Sequence, residues 1–227
     1  MVMKKGFWII LCMFFIPPVT FAGNMKLHYD RPAEYFEEAL VIGNGTMGAT
    51  LYGGVKKDKI SFNDITLWTG EPESENSSPD AFNVIPEIRA LLDNEDYEGA
   101  DKAQYKVQGH YSENYQPLGT LTIEYLDDTA GISDYHRWLD IGNATARTQY
   151  LKDGKLFTSD YFASAPDSVI VIRLKSENKE GIHALLSFDS PLPYSSQVAD
   201  NEISVEGYAA YHSFPVYYKA EDKHRYD

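Results

Sequence analysis

The sequence has a single cysteine, Cys12, among its 227 residues. A chain with one thiol forms no internal disulfide, and it offers neither a cysteine cluster for a metal nor a pair for redox chemistry. Its stability therefore has to come from burial of apolar side chains. Since 43% of the residues are hydrophobic and 14% are aromatic, the chain has enough apolar surface for a core, and a wholly disordered acidic chain is excluded.

Basic residues are scarce as well. The chain has 20 Lys and Arg against 34 Asp and Glu, which gives a formal net charge of −14. A phosphate backbone or an anionic membrane surface is bound by clustered Lys and Arg. We therefore expect no nucleic-acid partner and no anionic membrane partner, whereas neutral partners such as sugars remain open.

Residues 1–22 have the pattern of a secretory signal peptide. Two lysines precede an apolar run over residues 6–16, and a small-residue site follows at residues 20–22. Cleavage before Gly23 leaves residues 23–227, removes the cysteine and makes the net charge −14 − 2 = −16. An uncleaved membrane anchor is the alternative, but the run is shorter than the roughly 20 residues that a spanning helix needs. We expect an exported protein, periplasmic or secreted, with no membrane attachment after cleavage.

Most of the mature chain has the pattern of short β strands. Polar and apolar residues alternate over residues 121–125, and Asp153-Gly154 supplies the positive φ angles of a tight hairpin turn. Four consecutive apolar residues at 169–172 predict a strand covered on both faces. Further strands are predicted at residues 48–55, 59–67, 145–150, 156–162, 182–188, 202–205 and 215–218. The sequence thus predicts a mainly β fold, a large antiparallel β-sandwich or super-sandwich with a short helical insertion.

The helical insertion is predicted between residues 83 and 107. Apolar residues recur there at helical spacing, at Val84, Ile88, Leu91 and Leu92. Pro86 is expected near the start of this helix, where its missing amide leaves no bond unmade. Either Asn83 or Ser78 is expected to cap the helix, and a second, weaker helix is predicted over residues 95–105. No internal repeat or linker interrupts the chain, so one domain is predicted.

Signals for other chemistries are weak. Residues 43–48 have the form G-x-G-x-x-G, but the flanking pattern runs from strand to strand, so we interpret the glycines as a β turn. The six histidines lack the spacing of a zinc site. We therefore expect no metal and no cofactor.

Four motifs in a fixed order resemble a known family. They read EALVIGNGTMGA, NDITLWTG, YQPLG and YFASAPD, at residues 38–49, 63–70, 115–119 and 161–167. With the helical pair between the second and third motifs, this order resembles the N-terminal domain of glycoside hydrolase family 95, the inverting α-L-fucosidases and relatives acting on α-L-galactosides. The likeness covers residues 27–192. Asp64, where the family usually has Glu, and Thr120 are mild departures.

The resemblance implies a domain without catalytic residues. Family members carry the general acid Glu, and the Asp and Asn that activate water, on a separate (α/α)6 barrel, and this sequence ends at Asp227 before any barrel helix. It therefore implies the N-terminal noncatalytic domain of a secreted enzyme that hydrolyses terminal α-linked L-fucose or L-galactose from glycans, present as a fragment or a truncated product. The missing barrel of the same polypeptide and the glycan substrate are its expected partners, and the chain alone is expected to be inactive.

Substrate contacts are predicted in two segments. The first contains Asn63, Asp64 and Trp68, and the second, a polar and aromatic loop, contains Tyr115 and Gln116. Aromatic rings stack on the apolar faces of sugars, while amides and carboxylates bind hydroxyl groups, and loops on a rigid scaffold often carry such groups. We hypothesise that both segments face the barrel, brace it and edge its substrate pocket. The alternative is an autonomous carbohydrate-binding β-sandwich module that binds glycans through an exposed aromatic platform.

Overall fold

The computed structural model describes residues 25–70, 78, 80–109 and 112–226. The predicted signal peptide, residues 1–22, and the predicted start of the mature domain at Gly23 lie outside the described residues. Within the described ranges, none of the helices has the length and apolar composition needed to cross a membrane.

Short strands make up most of the described chain. The strands are β1 Lys26–Tyr29, β2 Leu40–Gly43, β3 Met47–Leu51, β4 Lys57–Asp64, β5 Gly119–Tyr125, β6 Ile132–Asp140, β7 Thr145–Lys152, β8 Lys155–Ser164, β9 Val169–Ser176, β10 Ala184–Asp189, β11 Tyr194–Ala199, β12 Glu202–Gly207, β13 His212–Ser213 and β14 His224–Arg225. The helices are α1 Ala81–Asp93 and α2 Tyr97–Gln104. Two 3-10 turns cover Phe36–Glu38 and Tyr105–Val107.

Two five-stranded antiparallel sheets pack face to face. The first sheet has the order β1-β6-β7-β8-β9, and the second has the order β10-β5-β4-β3-β2. Each sheet buries one face in a shared core, where Leu51 and Ile60 of the second sheet meet Tyr150 and Tyr161 of the first. The predicted fold class, a mainly β antiparallel sandwich with a helical insertion, is confirmed.

The β7–β8 hairpin forms where the sequence predicts it. Asp153 and Gly154 have φ angles of 51° and 74°, and Lys152 pairs with Lys155 on either side of them. Both turn residues therefore adopt the left-handed conformation of a two-residue hairpin turn. Since this turn fixes the register, every second residue of β7 and β8 faces the core.

The glycine-rich motif is a β turn, as predicted. It joins β2 to β3, and Gly45 has a φ angle of 93°. The side-chain oxygen of Asn44 accepts hydrogen bonds from the backbone amides of Thr46 and Met47 at 3.0 and 2.8 Å. The turn is thus closed by its own asparagine.

The helical insertion is confirmed, but its first helix begins earlier than predicted. Helix α1 starts at Ala81, so Pro86 lies inside the helix and Asn83 is not its cap. The N-cap residue is Asp80, two positions after Ser78, and the Ser78 hydroxyl donates to the carbonyl of Gln108 at 2.7 Å. The predicted capping roles of Asn83 and Ser78 are therefore wrong.

Two strand predictions also need correction. Strand β9 is an edge strand, and Val169 is 43% exposed, so the strand is not covered on both faces. Residues 215–218 form a turn, because the amide of Tyr218 donates to the carbonyl of Pro215 at 2.9 Å.

Candidate functional site

The predicted site residues meet where the helical insertion leaves the second sheet. Asn63 and Asp64 are the last two residues of β4, and Trp68 pairs with Tyr115 in an isolated antiparallel bridge. The amide of Gln116 donates to the carbonyl of Leu67 at 2.9 Å. The chain therefore leaves and re-enters the sheet at adjacent positions, and the predicted residues form the base of the insertion.

Trp68 and Tyr115 form an exposed ring pair. Their ring centroids lie 5.4 Å apart with the planes inclined at 60°, and the residues are 53% and 40% exposed. The Tyr115 hydroxyl donates to the backbone carbonyl of Asp64 at 2.7 Å. This bond fixes the phenol ring against the end of β4, so both rings are held in place while they remain open to solvent.

Asp64 supplies a fixed carboxylate beside these rings. Its Oδ1 accepts hydrogen bonds from the Thr66 hydroxyl at 2.6 Å and the Thr66 amide at 2.9 Å. These two hydrogen bonds hold the pKa of Asp64 below its ordinary value, and the bond from the Thr66 hydroxyl has the larger effect. Near neutral pH Asp64 is therefore an acceptor and not a proton donor.

The two amide side chains of the cluster differ in their bonding. The Asn63 side-chain oxygen is buried and has no hydrogen-bond partner among the described residues. Gln116 is buried, and its side-chain oxygen accepts from the amide of Ala210 at 3.2 Å. Asn63 thus retains an unused acceptor, whereas Gln116 ties the base of the insertion to the carboxyl-terminal segment.

A second set of polar residues, not predicted from the sequence, supports this base. The Glu113 carboxylate accepts from the Thr69 hydroxyl and from the Ser213 amide at 3.1 Å, and it contacts His212 Nδ1 at 2.6 Å. Asn114 Nδ2 donates to the Ser213 carbonyl at 2.6 Å. Partial burial raises the pKa of Glu113, but hydrogen bonds from Thr69, Ser213 and His212 outweigh this and lower it overall.

No local signal in the sequence identifies this network. Glu113 and His212 are separated by 99 residues, and each occurs in a polar stretch like several others. Only the fold brings β13 beside the loop that follows the helices. The network positions the exposed rings, because the segments it joins flank the Trp68–Tyr115 bridge.

The cluster offers ring faces and acceptors and no evident general acid. Two exposed rings and an ionised carboxylate suit a ligand with several hydroxyl groups and apolar faces. Among the described residues, His, Asp and Glu do not gather in any group of three able to hold a metal ion. Sugar contact by Asn63, Asp64, Trp68, Tyr115 and Gln116 stays a prediction.

Similar proteins share the matched region. Alpha-L-fucosidase 2 of Arabidopsis thaliana is 32% identical over 187 residues, which are 81% of this chain and 22% of that protein. Probable alpha-fucosidase A of Aspergillus niger is 30% identical over 179 residues, 74% of this chain and 22% of that protein. Probable alpha-fucosidase A of Aspergillus oryzae is 27% identical over 145 residues, 61% of this chain and 20% of that protein. The chain spans about a fifth of the length of each relative.

A family match covers almost the whole described chain. Residues 27–226 match the family described as the N-terminal domain of glycosyl hydrolase family 65. Together with the α-fucosidase relatives, this match confirms the resemblance to the N-terminal domain of family 95 enzymes. The chain belongs to the family of glycosyl hydrolase family 65 N-terminal domains.

Proposed function

We propose that this chain is the noncatalytic N-terminal domain of an exported glycoside hydrolase of family 95. The whole enzyme would hydrolyse terminal α-linked L-fucose or L-galactose from glycans, with its catalytic groups on an (α/α)6 barrel of the same polypeptide. The main support is that proteins named α-fucosidases match this chain over only about a fifth of their length. Export rests on the leader pattern of residues 1–22.

An apolar face on α1 that remains exposed among the described residues supports a docking role. One side of this helix, with Val84, Ile88 and Leu91, is half-buried, and α1 packs against α2. The adjoining side of the helix carries Phe82, which is 83% exposed, and Leu92. Exposed apolar patches of this kind mark interaction surfaces, and we assign this one to the barrel.

The Trp68–Tyr115 pair lies at the base of the same insertion, so it would border any barrel docked on α1. In this arrangement the rings and the Asp64 carboxylate edge the substrate pocket and contact a part of the glycan remote from the scissile bond. Such contacts orient a substrate without taking part in bond cleavage.

The alternative function, an autonomous carbohydrate-binding module, is favoured by the same exposed rings. Calorimetric titration of the isolated chain with fucosylated and galactosylated glycans separates the two. A heat of binding that is measured with the unmodified chain and disappears in the Trp68→Ala variant would favour the autonomous module. A chain that binds no glycan alone fits the docking domain.

Two experiments test the main proposal. The isolated chain is expected to leave a chromogenic α-L-fucoside unhydrolysed, and turnover above the buffer rate would contradict a noncatalytic role. In the second experiment, this chain replaces the matched segment of the Arabidopsis relative, and α-fucosidase activity is measured on a fucosylated oligosaccharide.

In this chimera, Trp68→Ala with Tyr115→Ala is expected to lower kcat/KM about tenfold, equivalent to about 1.4 kcal/mol. Tyr35→Ala, which removes an exposed ring on the sandwich, is the matched control. Unchanged kcat/KM and unchanged thermal stability in the double variant would overturn the assigned role of the pair.

A further inference from the structure

The outer face of the first sheet carries two complete cross-strand rows. One row contains, from β1 to β9, His28, Trp138, Arg147, Asp160 and Arg173. The adjacent row contains Lys26, Asp140, Thr145, Phe162 and Val171. Between them lies an open groove of about 590 Å³. This groove is on the opposite sheet from the Trp68–Tyr115 cluster.

Asp160 holds two guanidinium groups in the groove. Its Oδ1 accepts from Nε of Arg147, and its Oδ2 accepts from Nε and Nη2 of Arg173 at 3.2 and 2.7 Å. Partial burial raises the pKa of Asp160, but the hydrogen bonds from Arg147 and Arg173 outweigh this and lower it. The carboxylate is therefore ionised near neutral pH and keeps both arginines in fixed positions.

The arginines retain donors for a ligand. Within the described part of the chain, three guanidinium nitrogens have no hydrogen-bond partner: both Nη atoms of Arg147 and Nη1 of Arg173. Two guanidinium groups face one carboxylate, so the row keeps one uncompensated positive charge. Fixed guanidinium groups with free N–H donors are suited to a carboxylate, which they bind through paired hydrogen bonds.

Aromatic rings flank these donors. The guanidinium carbon of Arg147 lies 5.8 Å from the centroid of the Trp138 ring, and Phe162 is exposed in the adjacent row. Lys26 and Asp140 form an ion pair at 3.4 Å at the edge of the groove. The groove thus combines an anion-binding centre with apolar ring faces and further polar groups.

We propose that this groove binds a carboxylate-bearing sugar residue, a uronic acid unit of a glycan chain. The carboxylate would bond to Nη of Arg147 and Nη1 of Arg173, the ring would lie on Trp138 and Phe162, and a hydroxyl group would reach Asp140. The ligand class rests on the proposed function, because relatives named as fucosidases make a glycan the expected ligand.

Charge separates this ligand from polyanions. The groove has three cationic groups and two carboxylates, on a protein of net charge −14. Nucleic acids and anionic membranes are bound by larger basic clusters, and Asp140 and Asp160 would repel a second nearby anion. A single carboxylate on a largely neutral ring fits this balance.

Titration calorimetry on the full chain tests the proposal at pH 7 and low salt. Galacturonic acid, which carries one carboxylate, is expected to bind, and its methyl ester, which keeps the ring and loses the charge, is expected to bind at least about tenfold more weakly. Arg147→Gln and Trp138→Ala are each expected to weaken binding of the acid about tenfold. Arg89→Gln, which removes an exposed arginine on α1, is the matched control and should change nothing.

Several results would overturn the proposal. The first is the absence of binding, and the second is equal binding of the acid and its ester. The third is a combination: Trp138→Ala leaves binding intact, and hexa-aspartate binds as tightly as the sugar acid. The last result would identify a charged patch for an acidic protein segment. The comparison of the acid with its ester uses the unmodified chain, so it tests the proposal even if a variant fails to fold.

This experiment is independent of the activity measurements on the chimera. If galacturonic acid binds the isolated chain while the Trp68 and Tyr115 double variant of the chimera keeps full kcat/KM, the role assigned to that ring pair is contradicted and this site stands. If the double variant loses activity and the sugar acid does not bind the groove, the role of the ring pair stands and the groove proposal is contradicted.

Discussion

At the scale of single residues, the most unusual group is the buried carboxyl of Asp58. It is 1% exposed, its Oδ1 accepts from the amide of Gly54 at 2.9 Å, and its Oδ2 accepts from the hydroxyl of Tyr161 at 2.6 Å. Burial raises the pKa of Asp58 to about 6, although these hydrogen bonds act in the opposite direction. Asp58 links β4 to β8 across the core, so its protonation state affects both sheets.

The pKa of Asp58 predicts a specific pH dependence of stability. Since this pKa is higher in the folded than in the unfolded chain, the folded state retains a proton between about pH 4 and 6 that the unfolded state releases. The contribution of Asp58 to the free energy of unfolding therefore falls as pH rises through this window, by about 3 kcal/mol. Asp58→Asn removes this dependence.

Urea unfolding of both proteins at pH 4, 5, 6 and 7 measures the effect. The stability of Asp58→Asn relative to the unmodified chain is expected to increase by about 3 kcal/mol from pH 4 to pH 7. Asp200→Asn, in the exposed turn after β11, should give no such change. A constant difference between Asp58→Asn and the unmodified chain would contradict the pKa of Asp58.

At the scale of elements, turn conformation determines the register of the first sheet. Gly154 has a φ angle of 74° in the turn between β7 and β8, and an added Cβ there would meet no atom within 4 Å. Any penalty for a side chain at this position therefore comes from the backbone alone. Because β7 carries Arg147 and β8 carries Asp160, the same turn also places these two groove residues opposite each other.

Gly154→Ala is expected to lower the free energy of unfolding by about 1 kcal/mol, because alanine is strained in the left-handed region. Gly142→Ala is the matched control, since Gly142 has no positive φ and a Cβ there would lie 3.4 Å from Asp140. Urea unfolding measures both variants. Equal loss in the two would mean that the left-handed conformation of Gly154 does not explain the effect.

Sequence predicted those elements whose signals are local. Asp153-Gly154 and the turn at Gly45 were identified because their residue types favour positive φ wherever they occur. The capping role predicted for Ser78 is wrong because the helix begins at Ala81 with Asp80 as its N-cap, and the Ser78 hydroxyl bonds to Gln108, 30 residues away. The Glu113–His212 contact depends on the same kind of long-range pairing, which no local pattern encodes.

At the scale of the whole molecule, α1 exposes apolar side chains that no other described residue of the insertion covers. Phe82 and Leu92 are exposed, whereas Ile88, on the adjoining side of the helix, is half-buried. The two sides of one helix therefore have different roles, one within this domain and one in the proposed contact with the barrel.

Substitutions on the two sides are expected to separate these roles. Phe82→Ser with Leu92→Ser should change the free energy of unfolding of the isolated chain by less than about 0.5 kcal/mol, because neither side chain is buried. Ile88→Ser should lower it by about 1–2 kcal/mol, because a hydroxyl replaces packed apolar atoms. Urea unfolding of the isolated chain measures both.

In the chimera with the Arabidopsis relative, the Phe82 and Leu92 substitutions should become destabilising. The Phe82 and Leu92 double variant is expected to lower the thermal unfolding midpoint by several degrees, since docking would bury these residues. An unchanged midpoint would assign the barrel contact to another surface.

The base of the insertion also has a consequence for chain length. The amide of Thr69 donates to the carbonyl of Asn114 at 2.9 Å, so the two ends of a 44-residue segment are neighbours in space. The register of β4 against β5 is set by their own ladder, from Lys57 paired with Glu124 to Phe62 paired with Gly119. We therefore expect a change in the length of the helical pair, with Glu113 and Asn114 kept, to leave the two strands in place.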